Sequence, residues 1–166
     1  MITKRSLITV KISKCDLACH HDALNAYSHS KSIRTHANSS MHLKSDLASK
    51  DVDFVRESQC MNPLIGVKTA GNDLRFFSGW RWYEQCLLLG IDQIEVIEYR
   101  CVDNINIEKY AWMYLLGEHI FDMQKSHSLL QLVHLVEAIP VNLRPELLAS
   151  NYSRSPAVAV QKMTGS

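Results

Sequence analysis

Gly79-Trp80-Arg81-Trp82-Tyr83 is the part of this 166-residue chain where residue types and spacing could hold a ligand. It follows a strand-like run, Leu74 to Ser78, and precedes a helical stretch that ends at Gly90. A glycine at a strand end lets backbone amides approach a ligand closely. The helix expected to start there presents unpaired N–H groups and the positive end of its dipole, which together make an anion site. Arg81, in the first turn, adds a forked donor matched to phosphate oxygens. Helical spacing turns Tyr83, Cys86 and Leu87 toward the sheet, so Trp80 is the better candidate for an exposed ring that stacks on a base. The competing structural reading has Gly79 only turning a corner and Arg81 pairing with Glu84.

Two other groups could do chemistry. Cys15, Cys19, His20 and His21 form a C-x3-C-H-H cluster, but a structural zinc site draws a second ligand pair from elsewhere and no such pair stands out, so no metal site is expected. Asp73, Glu84 and Asp103 could hold Mg2+ beside a phosphate, although no D-x-D pair joins them. The five cysteines, 15, 19, 60, 86 and 101, are expected as reduced thiols, with Cys86 and Cys101 as small core residues.

Charge is spread unevenly. Residues 1–50 carry eight lysines and arginines against three acidic residues, whereas 51–102 and 103–166 are slightly acidic. An anionic partner would therefore meet the N-terminal third, through Lys4, Arg5, Lys11, Lys14, Lys31, Arg34 and Lys44. DNA held this way is gripped by its phosphates, so binding is salt-dependent and weakly sequence-specific.

The elements that position these residues follow from hydrophobic pattern. With 46% hydrophobic and 21% charged residues the composition is that of a globular domain. No run reaches the roughly 18 apolar residues of a membrane span. The basic N-terminus, broken by Lys11 and Lys14, reads as a strand rather than a signal peptide, and a cytoplasmic protein is expected. Residues 6–12 form that strand. Residues 15–45 read as a long polar loop with a short helix near 20–28. A helix capped by Ser45 or Ser49 runs to about Cys60 and stops before Pro63. Strand 63–69, a turn at Ala70-Gly71-Asn72-Asp73 and strand 74–78 make a hairpin. Helix 80–89 then closes on a left-handed glycine, Gly90, and a strand covers 94–99. Helices 107–124 and 128–139 follow, the second with Leu129, Leu132, Val133, Val136 and Ile139 on one stripe. Pro140 stops it, and the tail 150–166 looks loosely held.

This order, with Pro63-Leu64-Ile65-Gly66-Val67, Phe76-Phe77-Ser78-Gly79, Gly79-Trp80-Arg81-Trp82-Tyr83 and Leu89-Gly90, resembles the ParB/sulfiredoxin superfamily over about 40 residues, and over about 95 if Leu7–Ile12 supplies the first strand. The resemblance implies an α+β fold: a mixed sheet with packed helices in residues 1–102, and a C-terminal helical extension, 103–149, packed on it. It implies a phosphate or nucleotide site at Gly79, Trp80, Arg81 and Trp82, with ATP or CTP and Mg2+ as the cofactors. The chain departs from the family pattern at two places. Trp82 stands where a second signature arginine belongs, and Trp80 stands where sulfiredoxin carries its cysteine, so sulfiredoxin chemistry is not implied. Asp103-Asn104 is a thin match to the family's later acidic-Asn segment.

The function implied is that of a stand-alone ParB-like, DNA-associated protein of plasmids and mobile elements, with Lys11, Lys14, Lys31, Arg34 and Lys44 on DNA. The alternatives are a nuclease or nucleotide phosphohydrolase or kinase of the same fold, and an inactive interaction or inhibitor protein. The apolar, slightly acidic C-terminal helices suit packing, a homodimer or a protein partner better than a DNA groove.

Overall fold

Alternation builds the sheet. Between Gln93 and Arg100, Ile94, Val96 and Glu98 are buried while Glu95, Ile97 and Tyr99 are half-buried, the period of two that a strand imposes. The computed structural model describes residues 4–12, 17–40, 52–69, 73–100, 106–121 and 128–164. Among them the strands are β1 (Lys4–Lys11), β2 (Ala18–Cys19), β3 (Leu64–Lys68), β4 (Leu74–Ser78) and β5 (Gln93–Arg100). The helices are α1 (Leu24–Ser40), α2 (Val52–Met61), α3 (Trp80–Leu88), α4 (Ile107–Phe121), α5 (Ser128–Ala138), α6 (Arg144–Leu148) and α7 (Pro156–Thr164).

The strands form one mixed sheet in the order β1-β5-β3-β4-β2. β1 runs antiparallel to β5, β5 parallel to β3, β3 antiparallel to β4, and β2 parallel to β4. The fold is thus α+β with a mixed sheet and packed helices. Hairpin, Gly79, helix and strand form one unit, as the pattern of residues 63–99 predicts. Phe76 and Phe77, neighbours on β4 and so on opposite faces, meet Tyr83 of α3 at 4.7 Å and Tyr110 of α4 at 6.4 Å between ring centres. Helices therefore cover both faces at β4. Helix α4 packs on β4 and gathers α1 and α5, and α5 in turn gathers α7. No helix among the described residues is long and apolar enough to cross a membrane.

A buried amide closes the sheet where β3 begins. β3 meets β5 from Leu64 opposite Val96, so the preceding residue, Glu95, has no strand partner on that side. Gln59 of α2, 2% exposed, supplies one: its Nε2 donates to the Glu95 carbonyl at 2.8 Å and its Oε1 accepts the Glu95 N–H at 2.8 Å. The side-chain amide stands in for a residue of backbone, satisfying a donor and an acceptor together.

Three expectations need correction. The polar stretch 15–45 is not a long loop, because α1 fills 17 residues of it. The inward stripe starts at Ala23, just before α1, and continues through Ala26, Tyr27, Ser30 and Ile33, at spacings of three and four; the alanines and Ser30 are almost fully buried. These small and polar residues carry a helical period but little hydrophobicity, which hid it. On α5 the buried set is Leu132, Leu135, Val136 and Ile139, whereas Leu129 is 40% exposed. The tail is held as well: α7 packs against α5 and buries Ala159 and Val160. The turn residues Ala70, Gly71 and Asn72 lie outside the described residues, as do Cys15, Cys101, Asp103 and Asn104.

Candidate phosphate site at the start of α3

Gly79 is fixed by packing before any ligand is considered. Its φ is +79°, a left-handed conformation that costs an L-residue roughly 1–2 kcal/mol. A Cβ on it would also lie 2.9 Å from Leu64 Cα, backbone of the neighbouring strand β3. The carbonyl of Gly79 accepts the N–H groups of Trp82 at 3.0 Å and Tyr83 at 3.3 Å. Of the amides at 80–82, those of Trp80 and Arg81 are left with no helical acceptor. The other end of α3 closes with Gly90 at φ +67° and a bond from the Ile91 N–H to the Cys86 carbonyl at 2.8 Å, a glycine-terminated helix end.

Trp80 is core, contrary to its expected exposure. Its ring is fully buried, its Nε1–H donates to Ser30 Oγ at 2.9 Å, and Tyr114 of α4 meets it edge-on at 4.8 Å. Tyr27 lies 5.7 Å away. A ring with no open face cannot stack on a base, and its one polar atom is already partnered. Trp82 is half-buried against the core. Tyr83 packs on Phe76 and donates its hydroxyl to the Leu17 carbonyl at 3.1 Å, the inward role its spacing predicts.

Arg81 is what remains for a ligand. It is exposed in the first turn of α3, and no hydrogen bond or ion pair engages its guanidinium among the described residues. The pairing with Glu84 does not form. Glu84 instead pairs with Lys31 Nζ at 3.7 Å. Burial first, and then the Glu84 carboxylate, push the Tyr27 hydroxyl well above its ordinary value. Lys31 also lies 4.2 Å over the Tyr27 ring. The cation sought for DNA on α1 is thus set against α3, three residues along from Arg81, a proximity no sequence signal announced.

The other basic candidates are scattered. Lys11 is exposed at the end of edge strand β1. Arg34 lies on α1, with its side chain outside the description, and Lys14 and Lys44 lie outside it entirely. Arg5 is exposed on β1 and covers the Tyr99 ring at 4.8 Å.

The carboxylates considered for Mg2+ are engaged separately: Asp73 with Arg75 at 3.4 Å, Glu84 as above. Buried Glu98 pairs with Lys68 at 3.9 Å. Of the cysteine–histidine cluster, His20, His21 and Asp22 bring three potential ligand atoms within 4.8 Å of one another. Their contacts read as a cap: His20 Nδ1 accepts the Asp22 N–H at 3.3 Å, opening the short 3-10 turn His21–Ala23, and His21 Nε2 meets Asp22 Oδ1 at 2.9 Å. Cys19 Sγ donates to the His20 carbonyl at 3.5 Å, and burial pushes its thiol up to about 12.

Compared with known proteins, the chain matches no family model, and no curated protein or solved structure at a significant level.

Proposed function

We propose that this is a cytoplasmic, ParB-like DNA-associated protein that binds phosphate, from nucleotide or from DNA, at the start of α3, and that it serves the maintenance or regulation of plasmid or mobile-element DNA. The observation that carries the reading is Arg81: an exposed arginine in the first turn of α3, unclaimed by any described carboxylate, in the turn whose first two amides follow a left-handed glycine and have no helical acceptor. The order of β3, β4, Gly79, α3 and β5 supports it. The contacts favour binding over catalysis. Glu84, the carboxylate closest in sequence to the site, is paired with Lys31, and a metal-assisted phosphoryl transfer needs carboxylates that can turn to the ion.

Because Trp80 is enclosed, recognition rests on phosphate charge and not on base stacking. ATP and CTP should therefore bind alike, and DNA should bind with little sequence preference. A thermal melt with ATP, CTP, Mg2+ and a short duplex tests this. A ligand that binds only the native state raises the melting temperature by mass action. An unchanged melting temperature with all of them at low salt sinks the proposal.

A further inference from the structure

β1 bounds the sheet on one side, and no strand lies beside its far edge among the described residues. Which backbone groups face that edge follows from two sets of bonds. The Ile12 N–H donates to the Asp92 carbonyl at 2.8 Å. The register between β1 and β5 is unbroken, so the even-numbered residues back to Lys4 turn their N–H and C=O groups to β5. The odd-numbered residues turn theirs outward. Glu95 agrees from the other side: both of its backbone groups go to Gln59, away from Thr9, the residue opposite it. Arg5, Leu7, Thr9 and Lys11 thus present a row of donors and acceptors to the open edge, and their side chains share one face of the sheet. All four are exposed, Leu7 by 61%.

We propose that a second copy of this chain docks on this edge, β1 against β1 and antiparallel, about a two-fold axis through Leu7, so that the five-stranded sheet continues into its partner. A symmetric contact requires the edge to complement itself, and this register does so. Leu7 lies opposite the partner's Leu7, and the two exposed leucines cover each other. Arg5 lies opposite the partner's Thr9. Within each chain Thr9 donates to Glu95 Oε1 at 2.7 Å, which holds that carboxylate directly behind Thr9. An arginine paired across roughly 5.5 Å reaches it, and symmetry makes the ion pair twice. Arg5, which covers its own Tyr99 at 4.8 Å in the single chain, turns to meet it. The adjacent register, Leu7 against Thr9, sets Arg5 against Lys11 and brings like charges together.

Sedimentation velocity of the full chain across the micromolar range tests this. The wild type should show a monomer–dimer equilibrium. Leu7→Pro deletes an outward N–H that takes no part in the β1–β5 ladder. It should weaken the dimer roughly 5- to 150-fold, the worth of the two bonds exchanged at the axis, with circular dichroism reporting a folded monomer. Leu7→Lys leaves the backbone intact and sets like charges opposite each other, so it should weaken the dimer too. Arg5→Glu should do the same, and Glu95→Arg added to it should restore the dimer. Within one chain Arg5 stands opposite Tyr99, about 13 Å along β5 from Glu95, so restoration reports a contact between copies. A wild type that stays monomeric throughout, or a dimer untouched by both Leu7→Pro and Leu7→Lys, overturns the proposal. An Arg5→Glu defect that Glu95→Arg does not repair overturns the register.

Discussion

Replacing Gly79 by alanine measures how far the fold alone demands that glycine, and Gly90 supplies the control at the other end of the same helix. Both residues are left-handed, at φ +79° and +67°, so alanine at either carries the conformational cost of roughly 1–2 kcal/mol. They differ in surroundings. A Cβ at Gly90 meets nothing within 4 Å, whereas one at Gly79 meets Leu64 Cα at 2.9 Å. That atom is strand backbone between β4 and β5 and cannot swing aside, so an overpacking cost of about 1–3 kcal/mol is added. Gly90→Ala should then cost about 1–2 kcal/mol and Gly79→Ala about 2–5 kcal/mol, against a total stability of order 5–15 kcal/mol for a domain. Urea unfolding followed by circular dichroism reads both, with an unchanged slope confirming that the two variants lose stability alone. Equal costs for the two variants would refute the close approach. A Gly79→Ala protein of native stability that has lost phosphate binding would show that the glycine serves the ligand and not the sheet.

Two further outcomes follow from the core. Gln59→Leu keeps the volume of α2's buried side chain but strands both backbone groups of Glu95; it should cost about 2–4 kcal/mol in the same unfolding assay, and a loss under about 0.5 kcal/mol contradicts the amide's role. His20 and His29 both lie below their ordinary 6.5: His20 through burial first and then His21 and Arg75, against Asp22, and His29 through burial first and then His119 and His134. The unfolded chain therefore takes up these protons first, so their contribution is fully present above about pH 6.5 and declines as pH falls below it. His29→Gln should flatten that decline, and a slope unchanged by the substitution contradicts the shift.

Where backbone geometry demands a particular residue, the sequence announced the fold. Gly79 and Gly90 marked the two ends of α3, because few other residues tolerate positive φ, and the alternation in β3, β4 and β5 marked strands packed on a buried face. Helix α1 was legible only as a short helix near 20–28, and its extension to Ser40 stayed hidden because its inward stripe is alanine, serine and tyrosine, residues that bury well only when a partner such as Trp80 meets them. Trp80 departs from its expected exposure for a related reason. An aromatic at a helix N-terminus can face ligand or core, and the choice was made by Ser30, 50 positions away, which accepts its N–H. The same long-range placement moved Glu84 from Arg81 to Lys31, leaving Arg81 exposed.

Isothermal titration with ATP and CTP, run on the wild type and on Arg81→Ala, tests the phosphate site most directly. A charge-assisted hydrogen bond is worth about 1.5–3 kcal/mol, so the wild type should bind both nucleotides and Arg81→Ala should bind them roughly 10- to 150-fold more weakly with its melting temperature intact. Arg81→Lys should recover only part of the loss, because a point charge cannot reproduce the fork. No heat from the wild type, or equal affinities for wild type and Arg81→Ala, contradicts the account.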